Sequence, residues 1–361
     1  MNTGRFLTFL QVLLAKEKEF EVQTVLSDVL NAIRQLTDQP QNSDLQTALS
    51  QSLARLDGVT TSVTSSFTPA QYDLLSSVEG GEMLGPALGK WIKEWVATNG
   101  MTPAVARDQI AALTKRRAKL ISTITETVER LTSLGVAPEE PPISPVELGF
   151  LIPRELFNSD FDQFRKELTF LSQTMRFYSE AVTGGAEEIT IGEISASDPL
   201  LFLGVSVSTV LALSASIKWL LDAVKSTLEI RELMARSKEA KLSNRIIDGF
   251  TAEIDEVLQA AVRDRVDQLM KNVPDKPRRH EIREGLEMAT TGLLARIERG
   301  MKVEIKIGQV AAVPENAASA REASLFAQVE VISQQLIFPR ITGEPLISLP
   351  AEATSGVAND V

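Results

Sequence analysis

The chain of 361 residues holds a single histidine, and it stands in the most basic turn of the sequence, PDKPRRHEIRE (274–284). Lys276, Arg278, Arg279, His280 and Arg283 put four permanent cations and one titratable ring within a short span. Such a cluster suits an anion or the acidic face of a protein partner, and these five residues form the candidate binding patch. Its place at a helix start is electrostatically unusual, because a helix N-terminus already carries positive partial charge. The competing expectation is a solvated polar turn. One histidine excludes a two-histidine metal site, and the absence of cysteine excludes thiolate ligands and disulfides. No Gly-x-Ser-x-Gly elbow accompanies His280 to suggest a hydrolase triad.

Other chemistry-bearing types resolve into structural readings. GPALGKW (85–91) falls one residue short of a phosphate loop and carries Trp91 where Ser or Thr is needed. TKRRAK (114–119) lies inside a helical pattern and reads as a charged, solvated face. Asp160 and Asp162 sit where acidic groups favour a helix start. Trp91 and Trp95, with Lys90 and Lys93 beside them, read as a core pair, with an interfacial anchor as the alternative. No catalytic, cofactor-binding or metal-binding residue is assigned, and no cofactor is implied.

A second feature is SDPLLFLGVSVSTVLALSASIKWLLD (197–222), uncharged from Leu200 to Ile217. Gly204, Ser208, Ala212 and Ser216 fall four apart in it, the spacing of a helix-packing or membrane ridge. As a helix opened by Asp198-Pro199, eighteen residues would span about 27 Å, just short of a hydrocarbon core of roughly 30 Å. Leu, Ile, Val and Phe favour insertion, while the serines, Thr209 and Gly204 oppose it. The expectation is therefore an apolar helix over 199–221, packed in a soluble core or entering a membrane.

The elements that must position these residues are mostly helical. Aromatics make up only 5% of the chain, and Leu, Ala, Glu, Lys and Arg abound. Val22, Val25, Val29, Ile33 and Leu36 recur at helical steps, as do Leu45, Leu49, Leu53 and Leu56. GVTTSVTSSFTP (58–69) reads as a Ser/Thr-rich connection. The pattern over 102–134 predicts a long helix capped by Thr102 and closed by Gly135. Phe161, Phe164, Leu168, Leu171, Met175, Tyr178 and Val182 form a heptad seam that needs a partner helix. Further helices are expected over 244–272, 276–299 and 316–335. Three short alternating stretches, 146–152, 188–194 and 304–310, predict strands, and the likeness of EITIGEI to EIKIGQV suggests that the last two pair as a ribbon.

The expected fold is mainly α, an antiparallel helical bundle with long coiled-coil-like helices and a small two- or three-stranded β element. The divisions are an N-terminal helical region (1–136), a Pro-rich linker (137–145) and a central helical region (146–313). A C-terminal helix and extended segment (314–350) and a disordered tail (351–361) complete the chain. The run FLTFLQVLLA (6–15) reads as an amphipathic first helix rather than a cleaved leader. A net charge of −11 disfavours a general nucleic-acid binder. The leading functional expectation is a non-enzymatic interaction or assembly protein that binds a protein partner or itself. The alternative is a membrane-acting toxin or bacterial defence effector using 199–221. An enzyme without a sequence motif comes third. The expected location is cytoplasmic, with membrane association through 199–221 under the alternative.

Overall fold

Val146, Leu148 and Phe150 alternate with Glu147, Gly149 and Leu151, a period of two that lays one apolar row on one side of a strand. That strand becomes the organising element of the C-terminal unit. The computed structural model describes residues 2–195, 199–240, 243–271, 273, 278–308, 317–339, 341, 345–347 and 349. Among the described residues 73% are helical, with twelve α-helices and a small four-stranded antiparallel sheet. The chain divides into two units, Met1–Glu140 and Pro141–Val361, with the division inside the stretch 137–145.

The first unit contains α1 (Thr3–Phe20), α2 (Val22–Asp38), α3 (Ser43–Thr64), α4 (Pro69–Ser77), α5 (Pro86–Thr98) and α6 (Pro103–Ser133). The buried rows of α1 and α2 and the apolar face of α6 make one core, including Leu10, Leu13, Val25, Val29, Ile33, Ile110 and Ile124. The expected Ser/Thr connection at 58–69 is shorter than its composition suggested. Helix α3 continues to Thr64 because Leu56, Thr60 and Val63 stay on its buried face, and the Thr60 hydroxyl donates back to Leu56 O at 2.9 Å. Thr102 makes no side-chain cap on α6; Pro103 in the first turn and Gly135 at φ 79° mark its limits. GPALGKW opens α5, where a Cβ on Gly89 would stand 3.1 Å from Asp57 Oδ1 and Thr60 Oγ1, so the glycine allows close approach to α3. Trp91 and Trp95 pack partly buried against this core.

TKRRAK is not a uniformly solvated face. Lys115, Arg116 and Lys119 are exposed, but Arg117 is wholly buried. Its guanidinium donates to Met83 O at 3.1 Å, to Gln23 Oε1 at 2.8 Å and to the Glu17 carboxylate. Burial pushes the Glu17 carboxyl above the usual range, against the pull of Arg117.

The second unit contains β1 (Val146–Leu151), α7 (Phe161–Thr183), β2 (Thr190–Ser195), β3 (Leu200–Gly204), α8 (Val207–Ser226), α9 (Leu228–Glu239), α10 (Asn244–Met270), α11 (Arg279–Ile297), β4 (Lys302–Ile307) and α12 (Ala317–Gln335). The strand order is β2-β3-β1-β4, all neighbours antiparallel. The register runs from Glu147 opposite Gly204 to Leu151 opposite Leu200, and from Val146 opposite Ile307 to Leu151 opposite Lys302. Val146, Leu148, Phe150, Leu201, Leu203, Val303 and Ile305 face a core shared with α7, α8, α10 and α11. On the other face, Phe202 lies against Gly149, where any Cβ would strike its ring. Lys306 Nζ sits 3.7 Å from the Phe202 ring centroid and 2.8 Å from Glu193 Oε2.

Three expectations are corrected here. The apolar segment 199–221 is not one helix: Leu200–Gly204 forms the inner strand β3, and the helix starts only at Val207, where the Ser206 hydroxyl accepts from Thr209 N at 3.3 Å. A strand flanked on both edges and buried on both faces reads as an unbroken apolar run, which its sequence shares with a buried helix. The proposed opening residue Asp198 lies outside the described residues. The β element has four strands rather than two or three, and the ribbon is absent. β2 and β4 stand at opposite edges of the sheet, each paired to an inner strand. Finally, the α7 seam is narrower than seven positions: Leu171, Met175 and Tyr178 are buried, whereas Phe161 is 79% and Val182 39% exposed. Asp160 does cap α7, accepting from Gln163 N at 2.9 Å. The tail 351–361 and the division at 313/314 lie outside the described residues.

Candidate partner groove between α7 and α11

The contact between α7 and α11 is built from aromatic residues on one helix and glycines on the other. Phe170 and Phe177 are two turns apart on α7, and Gly285 and Gly292 are two turns apart on α11. Phe177 lies on Gly285 and Phe170 on Gly292, so that a Cβ at either glycine would collide with a ring. Glycine costs helix stability in isolation, and here it admits a ring against bare backbone. Deeper in this contact Arg296 forms a buried two-pronged pair with Glu167, at 2.5 and 2.9 Å, and stacks 3.5 Å from the Phe170 ring centroid.

Toward the N-terminus of α11 the same contact opens into a groove of about 410 Å³. Phe177 and Met288 supply apolar lining, and Arg176, Arg278, Glu281 and Glu284 supply charge. The buried carboxylate of Glu180 ties the two arginines together, Arg176 Nε at 3.0 Å on one oxygen and Arg278 Nη2 at 3.3 Å on the other. Arg278 also donates to Glu281 at 3.0 Å. That hydrogen bond and the nearby Glu180 raise the Arg278 pKa further above an already high value. It is a fixed cation.

The structure separates the members of the predicted basic patch. Arg278 lines the groove. Arg279 turns back and donates to Val273 O at 2.6 Å and Met270 O at 3.2 Å, satisfying carbonyls at the end of α10. Arg283 joins α11 to α10 through Asp267 at 2.5 Å and pairs with Glu287 on its own helix at 3.0 Å. His280 is exposed and stands 3.1 Å from Glu284. Lys276 lies outside the described residues. The described arginines thus already have acceptors, and an incoming anion would have to displace them.

The small-residue ridge is likewise divided. Gly204 belongs to β3, where Ser144 and Thr190 fill the space beside it. Ser208, Ala212 and Ser216 remain on α8, and the last two make room for Arg265 of α10. The guanidinium donates to Ser216 Oγ at 2.8 Å and to Ala212 O at 3.1 Å. Behind it, the Tyr178 hydroxyl of α7 lies 3.0 Å from Thr290 of α11. Burial raises the Tyr178 pKa, so this phenol is a hydrogen-bonding group and not an ionised one. Polar side chains from four helices therefore meet inside the core, around the ridge.

Phe177, Glu180 and Met288 were not singled out from the sequence. The visible signal was the shared seven-residue spacing of the two phenylalanines and the two glycines. Among the described residues, no cluster of His, Asp or Glu is suited to hold a metal ion. The chain matches no protein-family model, no curated protein and no solved structure.

Proposed function

We propose that this is a non-enzymatic interaction or assembly protein, with the α7/α11 groove as a partner-binding surface. The observation that carries this reading is the groove's composition, an apolar lining of Phe177 and Met288 with guanidinium and carboxylate groups beside it. Protein interfaces commonly combine a desolvated apolar centre with a polar rim. The fitting partner is a helix or extended segment that presents one bulky apolar residue between charges of both signs. The reading extends to an antiparallel bundle arrangement of the helices, supported by the extended contacts of α2 with α3 and α6 and of α7 with α11. It carries a cytoplasmic location and no nucleic-acid partner. Its test is a photo-crosslinking side chain placed at Met288 and, as control, at the exposed Lys238, in the cell that makes the protein. A discrete protein adduct formed only from position 288 is expected; no adduct, or the same adducts from both positions, would count against the groove.

The second reading, a membrane-acting toxin or defence effector, rests on α8. Among the described residues it is the one helix long and apolar enough to cross a membrane by length and composition. A buried core helix passes the same test, and α8 contacts α7, α10, α11 and α12. Membrane entry would have to expose Arg265, Tyr178 and Thr290, so the interaction reading is preferred.

A further inference from the structure

The two rims of the α7/α11 groove differ in charge. Between Gln163 and Ser179, α7 exposes Arg165 and Arg176 and buries Glu167, the one acidic residue of that stretch. The exposed stripe of α11 along the groove carries Glu281, Glu284 and Met288, spaced three and four apart. Arg278, the cation before that stripe, is taken up by Glu180 and Glu281. Arg176 and Glu284 are not taken up to the same degree. Arg176 reaches Glu180 through Nε alone, and in the described hydrogen bonds its two terminal nitrogens have no acceptor. Glu284 meets the exposed His280 through one oxygen. Both side chains are more than half exposed, at 57% and 65%, so each is open to a second pairing.

We infer that the occupant of the groove is a second copy of this chain, related by a two-fold axis that runs along the helix pair over Phe177 and Met288. The inference rests on the groove being a partner surface, as proposed above, and names the partner. A two-fold closes a face on itself, so the face must be complementary to its own rotated image. This face meets that condition in charge. Rotation sets the basic rim of α7 over the acidic stripe of the copy's α11, and Arg176 of each chain meets Glu284 of the other. Their levels agree, because Arg176 and Glu284 each stand next to the Phe177–Gly285 contact and an axis along the helices preserves level. At the axis Met288 meets its own counterpart, and an unbranched thioether adapts readily to such a contact. The rim is itself the segment that the groove calls for. It offers an apolar residue, 37% exposed, beside charges of both signs. A partner of one uniform charge would oppose like charge along one rim, which costs affinity.

The test uses the full chain, which has no cysteine, so that a single Met288→Cys reports on the axis. Under mild oxidation this variant is expected to form a disulfide-linked dimer. Met101→Cys, at a position 97% exposed and so better placed for random collision, should stay largely monomeric. Equal cross-linking of the two, or none from position 288, would overturn the inference. In sedimentation velocity the unaltered chain should dimerise, and Glu284→Arg, which opposes a guanidinium to Arg176, should dimerise at least about tenfold more weakly. Mixing Glu284→Arg with Arg176→Glu should restore the dimer as a heterodimer, since both crossings are then ion pairs again. Arg176→Glu lies beside the buried Glu180. If that variant does not fold, the cysteine pair and Glu284→Arg decide alone. A chain that is monomeric throughout, or a Glu284→Arg variant that dimerises like the parent, would overturn self-association. The photo-crosslink from Met288 separates this failure from that of the groove itself. An adduct of twice the chain's mass supports the dimer. An adduct with a different protein leaves the groove standing and removes the second copy, and the absence of any adduct removes both.

Discussion

Arg117 shows how much one side chain can conceal. Its neighbours Lys115, Arg116 and Lys119 are solvated, yet it lies wholly inside the first unit with three acceptors around it. A buried ion pair adds modest net stability, but removing one partner leaves the other charge stranded. Arg117→Met should therefore destabilise the first unit by about 3–5 kcal/mol in urea unfolding. Adding Glu17→Gln should recover part of that loss; a single variant as stable as the parent would contradict the pairing. The Arg265 network makes a parallel case in the second unit. Ser216 is fully buried between Arg265 and its own helix backbone, to which its hydroxyl donates at Ala212 O, 2.8 Å. Ser216→Leu should overpack this point and cost about 1–3 kcal/mol beyond the loss of the hydrogen bonds. An unchanged denaturation midpoint would show that α8 is not clamped there.

At the scale of elements, α7 and α11 are registered by rings on glycines. Gly292→Leu should force Phe170 and the adjacent Arg296 out of place, destabilising the second unit by about 1–3 kcal/mol, which calorimetry would report as a lowered midpoint. A midpoint at or above that of the parent would contradict the register. The helices were largely legible beforehand, because Val22 to Leu36 or Leu113 to Val128 repeat with the helical period and nothing else explains that spacing. β3 was not legible. An inner strand buried on both faces has no alternation to display, and Leu200–Gly204 runs straight into the apolar face of α8. The separation of β2 from β4 was equally hidden, since the order of strands depends on long-range pairing and not on the local resemblance of EITIGEI to EIKIGQV. The groove lay half in view. Arg278 was visible as a charge, but Phe177 and Met288 acquire meaning only once the antiparallel register places them side by side. One consequence of the sheet order is an edge strand bearing Ile191 and Ile194, 60% and 63% exposed, an apolar ledge of the kind that invites another chain.

For the whole molecule, the decisive matter is the role of the long apolar run. In the structure it is divided between the interior of a sheet and a helix in contact with α7, α9, α10, α11 and α12, with an arginine and two buried hydroxyls set against it. Its hydrophobicity is thereby accounted for within the second unit, and the proposed partner groove lies elsewhere, between α7 and α11. The account then turns on whether α8 stays inside. The most direct measurement is flotation of the purified protein with anionic liposomes, combined with hydrogen exchange of the α8 amides in the same sample. Protein that remains in the dense fraction, with Val207–Ser226 as protected as in buffer, is the predicted result. Protein that floats, with dye released from the liposomes and altered exchange across α8, would contradict it and make this helix the working part of a membrane-acting protein.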